Sequence, residues 1–267
     1  MMLTDQYLQR FGGVARLYGE SALDKLQRAH FAVIGIGGVG SWTAEALARS
    51  GVGRITLIDL DDVCITNSNR QSHALADTIG KIKVDVMAER LRQINPEIAV
   101  HTEEDFIAAD NLAQLLDPDR PIDIAIDAID SARVKAALIA YCKARKLRLV
   151  TVGSAGGKRD PGRVTCADLG RTVSDPMLAK VRQHLYRFHN FQKSRKRQFG
   201  VDAVYSDEPM VYPQPGGEVC RQKSAMQDGV KLDCSGGFGA ATMVTGTFGF
   251  VAAARGIERL LQAQNRD

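Results

Sequence analysis

A glycine-rich turn constrains this chain more than any other feature. Gly35-Ile36-Gly37-Gly38-Val39-Gly40 ends the apolar run FAVIGI (31–36) and leads into the helix-like segment SWTAEALARS (41–50). An apolar run feeding a tight turn predicts a buried strand. Ser41 and Gly51 mark the start and end of the helix that follows. Glycines at this spacing let the chain turn sharply and bring backbone N–H groups against phosphate oxygens. The helix N-terminus behind them adds unpaired donors and a favourable dipole. Asp59 ends the next apolar run, nineteen residues after Gly40, where a carboxylate can accept from ribose hydroxyls. Gly35, Gly37, Gly38, Gly40 and Asp59 are thus candidate nucleotide ligands. They suit a dinucleotide or ATP, and the first 59 residues leave that choice open.

Downstream, apolar runs alternate with helical patterns. Strands are expected at 31–36, 54–59, 98–102, 122–126 and 147–153, and helices at 41–50, 81–94, 110–117 and 132–146. Such alternation predicts an α/β, Rossmann-like fold, a mostly parallel sheet with helices on both faces. After about residue 155 the texture changes. A strand at 163–169, a basic stretch that begins helical at 175–199, a loop-rich 201–235 and a last helix at 238–263 form a mixed C-terminal part. A length of 267 residues allows one large domain or two small ones. The expected organisation is one domain, 1–267. It has a nucleotide-binding core at 25–155 and a substrate-binding elaboration with the C-terminal helix at 156–267.

The segment after the second strand bears on the choice of nucleotide. It contains Asp59, Asp61, Asn67, Arg70 and Gln71, with Lys83 thirteen residues beyond Arg70. A simple NAD domain has no need of this polar cluster. A triphosphate does, because Arg offers a fixed charge and a fork of donors to phosphate oxygens. Lys83 can reach the same phosphates. Asp127-Ala128-Ile129-Asp130-Ser131 ends a later strand. A carboxylate at the carboxyl edge of a parallel sheet, beside a triphosphate, is a natural Mg2+ ligand. Asp61, Asp127 and Ser131 join the candidate nucleotide set. Each residue alone has a plain alternative: a surface charge for Arg70 or Lys83, a helix cap for Asp130.

In order, VIGIGGVGSW, ITLIDLDDV, TNSNRQ, GKIK (80–83), INP (94–96) and DAID (127–130) resemble the ubiquitin-activating-enzyme-like superfamily, whose bacterial members adenylate carboxylates. The resemblance implies that Asp59 holds the ribose. It implies that Asn67, Arg70 and Lys83 handle phosphates, that Asp130 binds Mg2+, and that Arg70, Lys83 and Asp130 carry the catalysis. Sulfur-carrier-activating members generally carry two C-x-x-C zinc pairs, and this sequence has none, so no zinc is expected. RFGGVARLYG near the start and DCSGGFGAATMVTGTFGF near the end are instead similar to the bacterial tRNA threonylcarbamoyladenosine dehydratases. That similarity implies ATP-dependent cyclisation of a modified adenosine in the tRNA anticodon loop through an acyl-adenylate. The alternative is adenylation of the C-terminus of a small sulfur-carrier or ubiquitin-like protein. The superfamily also implies a homodimer and allows a sulfur-transfer protein as partner. Relatives often use an N-terminal Arg-Gln pair to reach the partner subunit's ATP. Gly13 stands at that point here, leaving Arg10 or Arg16 as substitutes.

Cys64, Cys142, Cys166, Cys220 and Cys234 are odd in number, which predicts reduced thiols and a cytoplasmic protein. Cys234 is a candidate nucleophile, by resemblance to thioester-forming relatives, and Cys64 is expected to pack beneath the nucleotide residues. Residues 180–197 hold seven Lys or Arg and no acid, interleaved with Tyr186, Phe188 and Phe191. Basic charge binds phosphate backbone and aromatics stack on unpaired bases. Arg187, Lys193, Arg195, Lys196 and Arg197 are therefore candidate tRNA contacts. The uncharged stretch 236–254 approaches bilayer-spanning length, but its five glycines and three threonines favour a buried helix over membrane contact.

Overall fold

The computed structural model describes residues 3–116, 121–193, 198–214, 217–221 and 238–262. Two helices that the sequence reading does not anticipate open the chain, α1 (Asp5–Tyr18) and α2 (Glu20–Arg28). The Thr4 hydroxyl caps α1 by accepting from the Tyr7 N–H at 3.1 Å. Gly19, with φ 93°, breaks the chain between them in a conformation side chains disfavour. Tyr7, Phe11 and Leu23 form a small apolar cluster. The Tyr7 hydroxyl donates to the Gly51 carbonyl and ties α1 to the body of the protein.

The α/β expectation holds. Chain order runs β1 (His30–Ile34), α3 (Gly40–Arg49), β2 (Arg54–Ile58), α4 (Lys83–Ile94), β3 (Ala99–Glu103), α5 (Leu112–Leu115), β4 (Ile124–Asp127), α6 (Ala132–Arg145) and β5 (Arg148–Val152). Then come β6 (Val164–Asp168), α7 (Pro176–Phe188), β7 (Asp202–Ser206), a short hairpin of β8 (Tyr212–Pro213) and β9 (Val219–Cys220), and α8 (Thr242–Gln262). The main sheet has the order β3-β2-β1-β4-β5-β7-β6. Every pairing in it is parallel except that of β6 with β7. The chain builds outward from β1 to β3, then returns and builds the other way from β4. The switch point lies between β1 and β4, where Ile34 is in register with Ile58 on one side and Asp127 on the other. In open sheets of this kind ligands bind outside the carboxyl ends of the strands at the switch point.

The loop-rich reading of 201–235 is corrected in one place. β7 inserts between β5 and β6 and is buried along its length. Asp202 conceals it by interrupting the apolar pattern, and Pro209, Pro213 and Pro215 crowd the segment that follows. Asp202 is tolerated because Arg255 and Arg259 hold it, with Nη2 atoms 3.0 and 2.9 Å from Oδ1. Burial alone would raise its carboxyl. The hydrogen bonds from Arg259 and Arg255 outweigh burial and keep it below the usual carboxylate range.

Apolar clusters cover both faces of the sheet. α8 accounts for most of the uncharged stretch near the end of the chain. It packs on α3 and across β4 and β5. A Cβ on Gly249 would lie 2.7 Å from the Val39 carbonyl oxygen, and one on Gly256 would lie 3.0 Å from the Phe31 ring. These glycines bring α8 close to the phosphate turn and the sheet. No helix among the described residues is long and apolar enough to cross a membrane.

Candidate active site

The glycine turn closes on itself. Gly35 has φ 85°, and a Cβ there would lie 3.0 Å from the Ala128 backbone. A Cβ on Gly40 would lie 1.8 Å from the Gly35 carbonyl oxygen, so no side chain fits that position. Asp59 fastens the turn from the next strand. Its Oδ2 accepts from the Ile36 N–H at 2.5 Å and its Oδ1 from the Asp61 N–H at 2.9 Å. Burial pushes the Asp59 carboxyl up, while Lys83 and these N–H donors oppose the shift. The N–H groups of Gly37, Gly38 and Val39 donate to no group among the described residues. They lie at the start of α3 and form a set of donors for an anion.

Arg70 crosses this turn. Its Cγ and Cδ would lie 3.2 and 3.3 Å from a Cβ on Gly38, which places the aliphatic stem against the glycine. Its Nη1 donates to Thr66 O at 2.7 Å and to Asn69 Oδ1 at 2.9 Å. A second layer fixes the backbone beneath it. Trp42 Nε1 donates to Arg70 O at 3.0 Å, Thr242 Oγ1 to Asn69 O at 2.7 Å, and Asn69 Nδ2 to Ala240 O at 2.9 Å. Sequence reasoning missed Trp42, Asn69 and Thr242. Asn69 sits in the polar cluster and was its one available signal, whereas Trp42 and Thr242 belong to elements distant in the chain. Asn67 is buried, and its Oδ1 accepts from the Cys64 N–H at 3.0 Å. Cys64 itself is exposed rather than packed beneath the site.

Lys83, the first residue of α4, reaches back across the mouth of the site. Its side chain is buried, and Nζ lies 2.7 Å from Asp61 Oδ2, on a carboxylate that is 55% exposed. The structure therefore brings Gly35–Gly40, Asp59, Asp61, Asn67, Arg70 and Lys83 to one edge of the sheet.

The two acids that end β4 and its loop part company. Asp130 is exposed and makes no hydrogen bond or ion pair among the described residues. Asp127 is fully buried, which corrects the expectation that it contacts nucleotide. Its Oδ1 lies 2.7 Å from Lys135 Nζ, and its Oδ2 accepts from Thr151 Oγ1 at 2.7 Å. Burial pushes the Asp127 carboxyl up against the pull of Lys135. Ser131 caps α6, its hydroxyl accepting from the Val134 N–H at 3.5 Å, so that oxygen is already engaged in the helix.

The remaining candidates lie elsewhere. Arg187 is exposed on α7, its guanidinium 5.3 Å from the centroid of the exposed Phe188 ring. Lys193 is exposed. Tyr186 and Phe191 are half-buried, and each packs a ring against Phe199. Arg10 and Arg16 lie on the exposed surface of α1. Cys234, Arg195, Lys196 and Arg197 fall outside the described residues.

A glycine turn at the switch point of a parallel sheet, with unpaired N–H groups under an arginine and a free carboxylate beside it, defines a nucleotide-phosphate-binding α/β protein. The model of the ThiF family matches residues 12–265, and the chain belongs to that family. It is 53% identical to a tRNA threonylcarbamoyladenosine dehydratase of Escherichia coli, over 98% of this chain and 97% of that one. Among solved structures it matches one described as TcdA (CsdL), with a TM-score of 0.91 and 51% identity over the whole of both chains. It also matches the E. coli enzyme TcdA in complex with ATP, with a TM-score of 0.88 and 49% identity over the whole of both chains.

Proposed function

We propose that this protein uses ATP to dehydrate threonylcarbamoyladenosine in tRNA, closing it to a cyclic form through an acyl-adenylate. The observation that carries this reading is the full-length likeness to an E. coli dehydratase crystallised with ATP. In this reading the substrate carboxylate attacks the α-phosphorus of ATP and pyrophosphate leaves. An atom of the neighbouring carbamoyl group then attacks the activated carbonyl, and AMP departs. Both reacting groups belong to one nucleoside, so proximity drives ring closure and no enzyme nucleophile is required. Cys234 remains the candidate should a covalent step intervene.

This chain's own groups have distinct tasks. The N–H groups of Gly37, Gly38 and Val39 receive phosphate oxygens, and Asp59 accepts from the ribose. Arg70 and Lys83 carry fixed positive charge to the phosphates, where charge builds as pyrophosphate departs. Asn67 shapes the loop that presents Arg70. Asp127 positions the β4 end rather than touching substrate. The free Asp130 carboxylate fits Mg2+, a hard cation usually held by one or two carboxylates and by phosphate oxygens. Asp130 would hold that ion, which supplies charge neutralisation on the phosphates when bound. The domain is read as one adenylating unit that works as a homodimer, with Arg10 or Arg16 reaching the ATP of the partner. Arg187, Lys193, Arg195, Lys196 and Arg197 serve the tRNA.

The test is nucleoside mass spectrometry of tRNA from cells lacking this protein. The open carboxylate form should accumulate, and an Asp130→Ala copy should fail to restore the cyclic one. Unchanged tRNA in the deletion would overturn the reading.

A further inference from the structure

A second charged feature lies at the opposite end of the sheet from the phosphate turn. A cleft of about 590 Å³ opens at the amino ends of β4, β5 and β7, between the C-terminus of α6 and the end of α8. Strands of five residues separate it from the nucleotide edge by about 17 Å. Lys143, Lys146, Arg148 and Arg259 line it. Among its described lining residues Asp202 is the one carboxylate, and Arg255 and Arg259 already hold both of its oxygens. Lys143, Lys146 and Arg148 are exposed and have no ion-pair partner among the described residues.

Three unpaired cations around one concave surface repel one another; Lys143, in the last turn of α6, also complements the helix dipole, whereas Arg148 opens a strand and has no such role. None of them packs in the apolar core. Their arrangement suits a polyanion whose phosphates are spaced along a backbone. The cleft also takes in the segment that follows the basic stretch in the chain. α6 packs against α7, and Gln198 and Gly200 line the same cleft. Phe199, between them, stacks on Phe191 at 5.8 Å.

We propose that this cleft grips the sugar–phosphate backbone of the tRNA, with Lys143, Lys146 and Arg148 as the contacts. The proposal rests on the tRNA reading above and extends it to residues outside the 180–197 stretch. One nucleotide is processed at the β1–β4 edge, while a remote surface holds the rest of the anticodon arm. Such contacts fix register and orientation without reading sequence.

The test compares the intact protein with the combined Lys143→Gln, Lys146→Gln, Arg148→Gln variant. A second variant, Lys25→Gln, Arg28→Gln, Arg92→Gln, removes equal charge from the last turns of α2 and α4, none of it lining the cleft, and controls for net charge. The probe is full-length tRNA carrying threonylcarbamoyladenosine, titrated across a salt series, with ATP affinity confirming that each variant is folded. The cleft variant should bind tRNA on the order of 10²-fold more weakly at 0.1 M salt, with a log–log salt slope shallower by about 2 to 3. The loss should appear in KM for tRNA, and Arg148→Lys alone should retain most of the affinity. The control variant should fall far less. Equal losses in both variants, or unchanged tRNA affinity in the cleft variant, would overturn the proposal. Conversion of tRNA by the intact protein with no effect of the cleft variant sinks the surface alone. Weakened binding without conversion keeps the surface and sinks the reaction, and a protein that neither binds nor converts tRNA sinks both.

Discussion

Lys83 Nζ lies 2.7 Å from Asp61 Oδ2 across the mouth of the phosphate site. The ammonium is thus held by a carboxylate that solvent reaches, and in the proposed reaction a triphosphate would take that carboxylate's place. The two partners should respond differently to substitution. Lys83→Met should slow AMP formation by about a hundredfold or more, the scale of losing one preorganised charge. Asp61→Asn frees the ammonium and should change ATP affinity only a few-fold. Single-turnover AMP formation and ATP titration separate the two. Equal rate losses in both variants would show that the pair acts as a unit.

The sequence Asp127-Ala-Ile-Asp130 presents two acids that look alike, yet they should fail in opposite ways. Asp130 has no partner among the described residues, so Asp130→Ala should leave the melting temperature within about 1 °C. Its turnover should be lost. Asp127→Ala strands Lys135, whose side chain is fully buried. Breaking a buried pair costs about 3–5 kcal/mol, or roughly 10 °C in a chain of this size. Thermal melts beside turnover assays check both halves. A stable Asp127→Ala protein that had lost only ATP binding would restore Asp127 to the nucleotide set.

The contact of α8 with the phosphate turn gives a third expectation. A Cβ on Gly249 meets the Val39 carbonyl oxygen at 2.7 Å and the Trp42 Cβ at 2.8 Å. Gly249→Ala must push α8 off α3, at about 1–3 kcal/mol for overpacking. Val39 and Trp42 also shape the site, so ATP affinity should fall along with stability. Gly239→Ala, where no atom lies within 4 Å of the added Cβ, is the matched control. A stable Gly249→Ala protein with normal ATP affinity would show that the helix–turn contact is dispensable.

Local chemistry made much of this legible. The glycine turn, the strand before it, and the parallel strands β2 (closed by Asp59), β4 and β5 each carry a short-range signature, an apolar run closed by turn residues. What stayed hidden depends on partners far along the chain. β7 looked like loop because Asp202 breaks its pattern, and only Arg255 and Arg259, more than fifty residues on, make that carboxylate tolerable. The division between Asp127 and Asp130 is set by Lys135 and Thr151, which no motif names. α1 and α2 were overlooked because their apolar faces are small, a patch around Tyr7, Phe11 and Leu23. The hydrogen bonds from Trp42 and Thr242 that seat Arg70 likewise require the folded chain.

His73 carries the last prediction, and its sign is fixed by burial. It is 1% exposed, and neither ring nitrogen has a hydrogen-bond partner in the described structure. Burial lowers its pKa to about 4, helped by the positive charges of Lys83 and Arg90. The unfolded chain takes up this proton near pH 6.5, whereas the folded protein resists it until about pH 4. Stability from the neutral ring is therefore complete above about pH 6.5 and is lost as pH falls toward 4. The loss reaches about 3 kcal/mol. His73→Leu removes the titration and leaves no acceptor or donor to satisfy, so it should cost little at pH 7.5. Its melting temperature should then fall less steeply than that of the unaltered protein between pH 6.5 and 4.5. Carboxylates that titrate over the same range contribute equally to both proteins and cancel in the difference. Parallel pH profiles would mean that the ring finds a partner in solution and is not a buried neutral base.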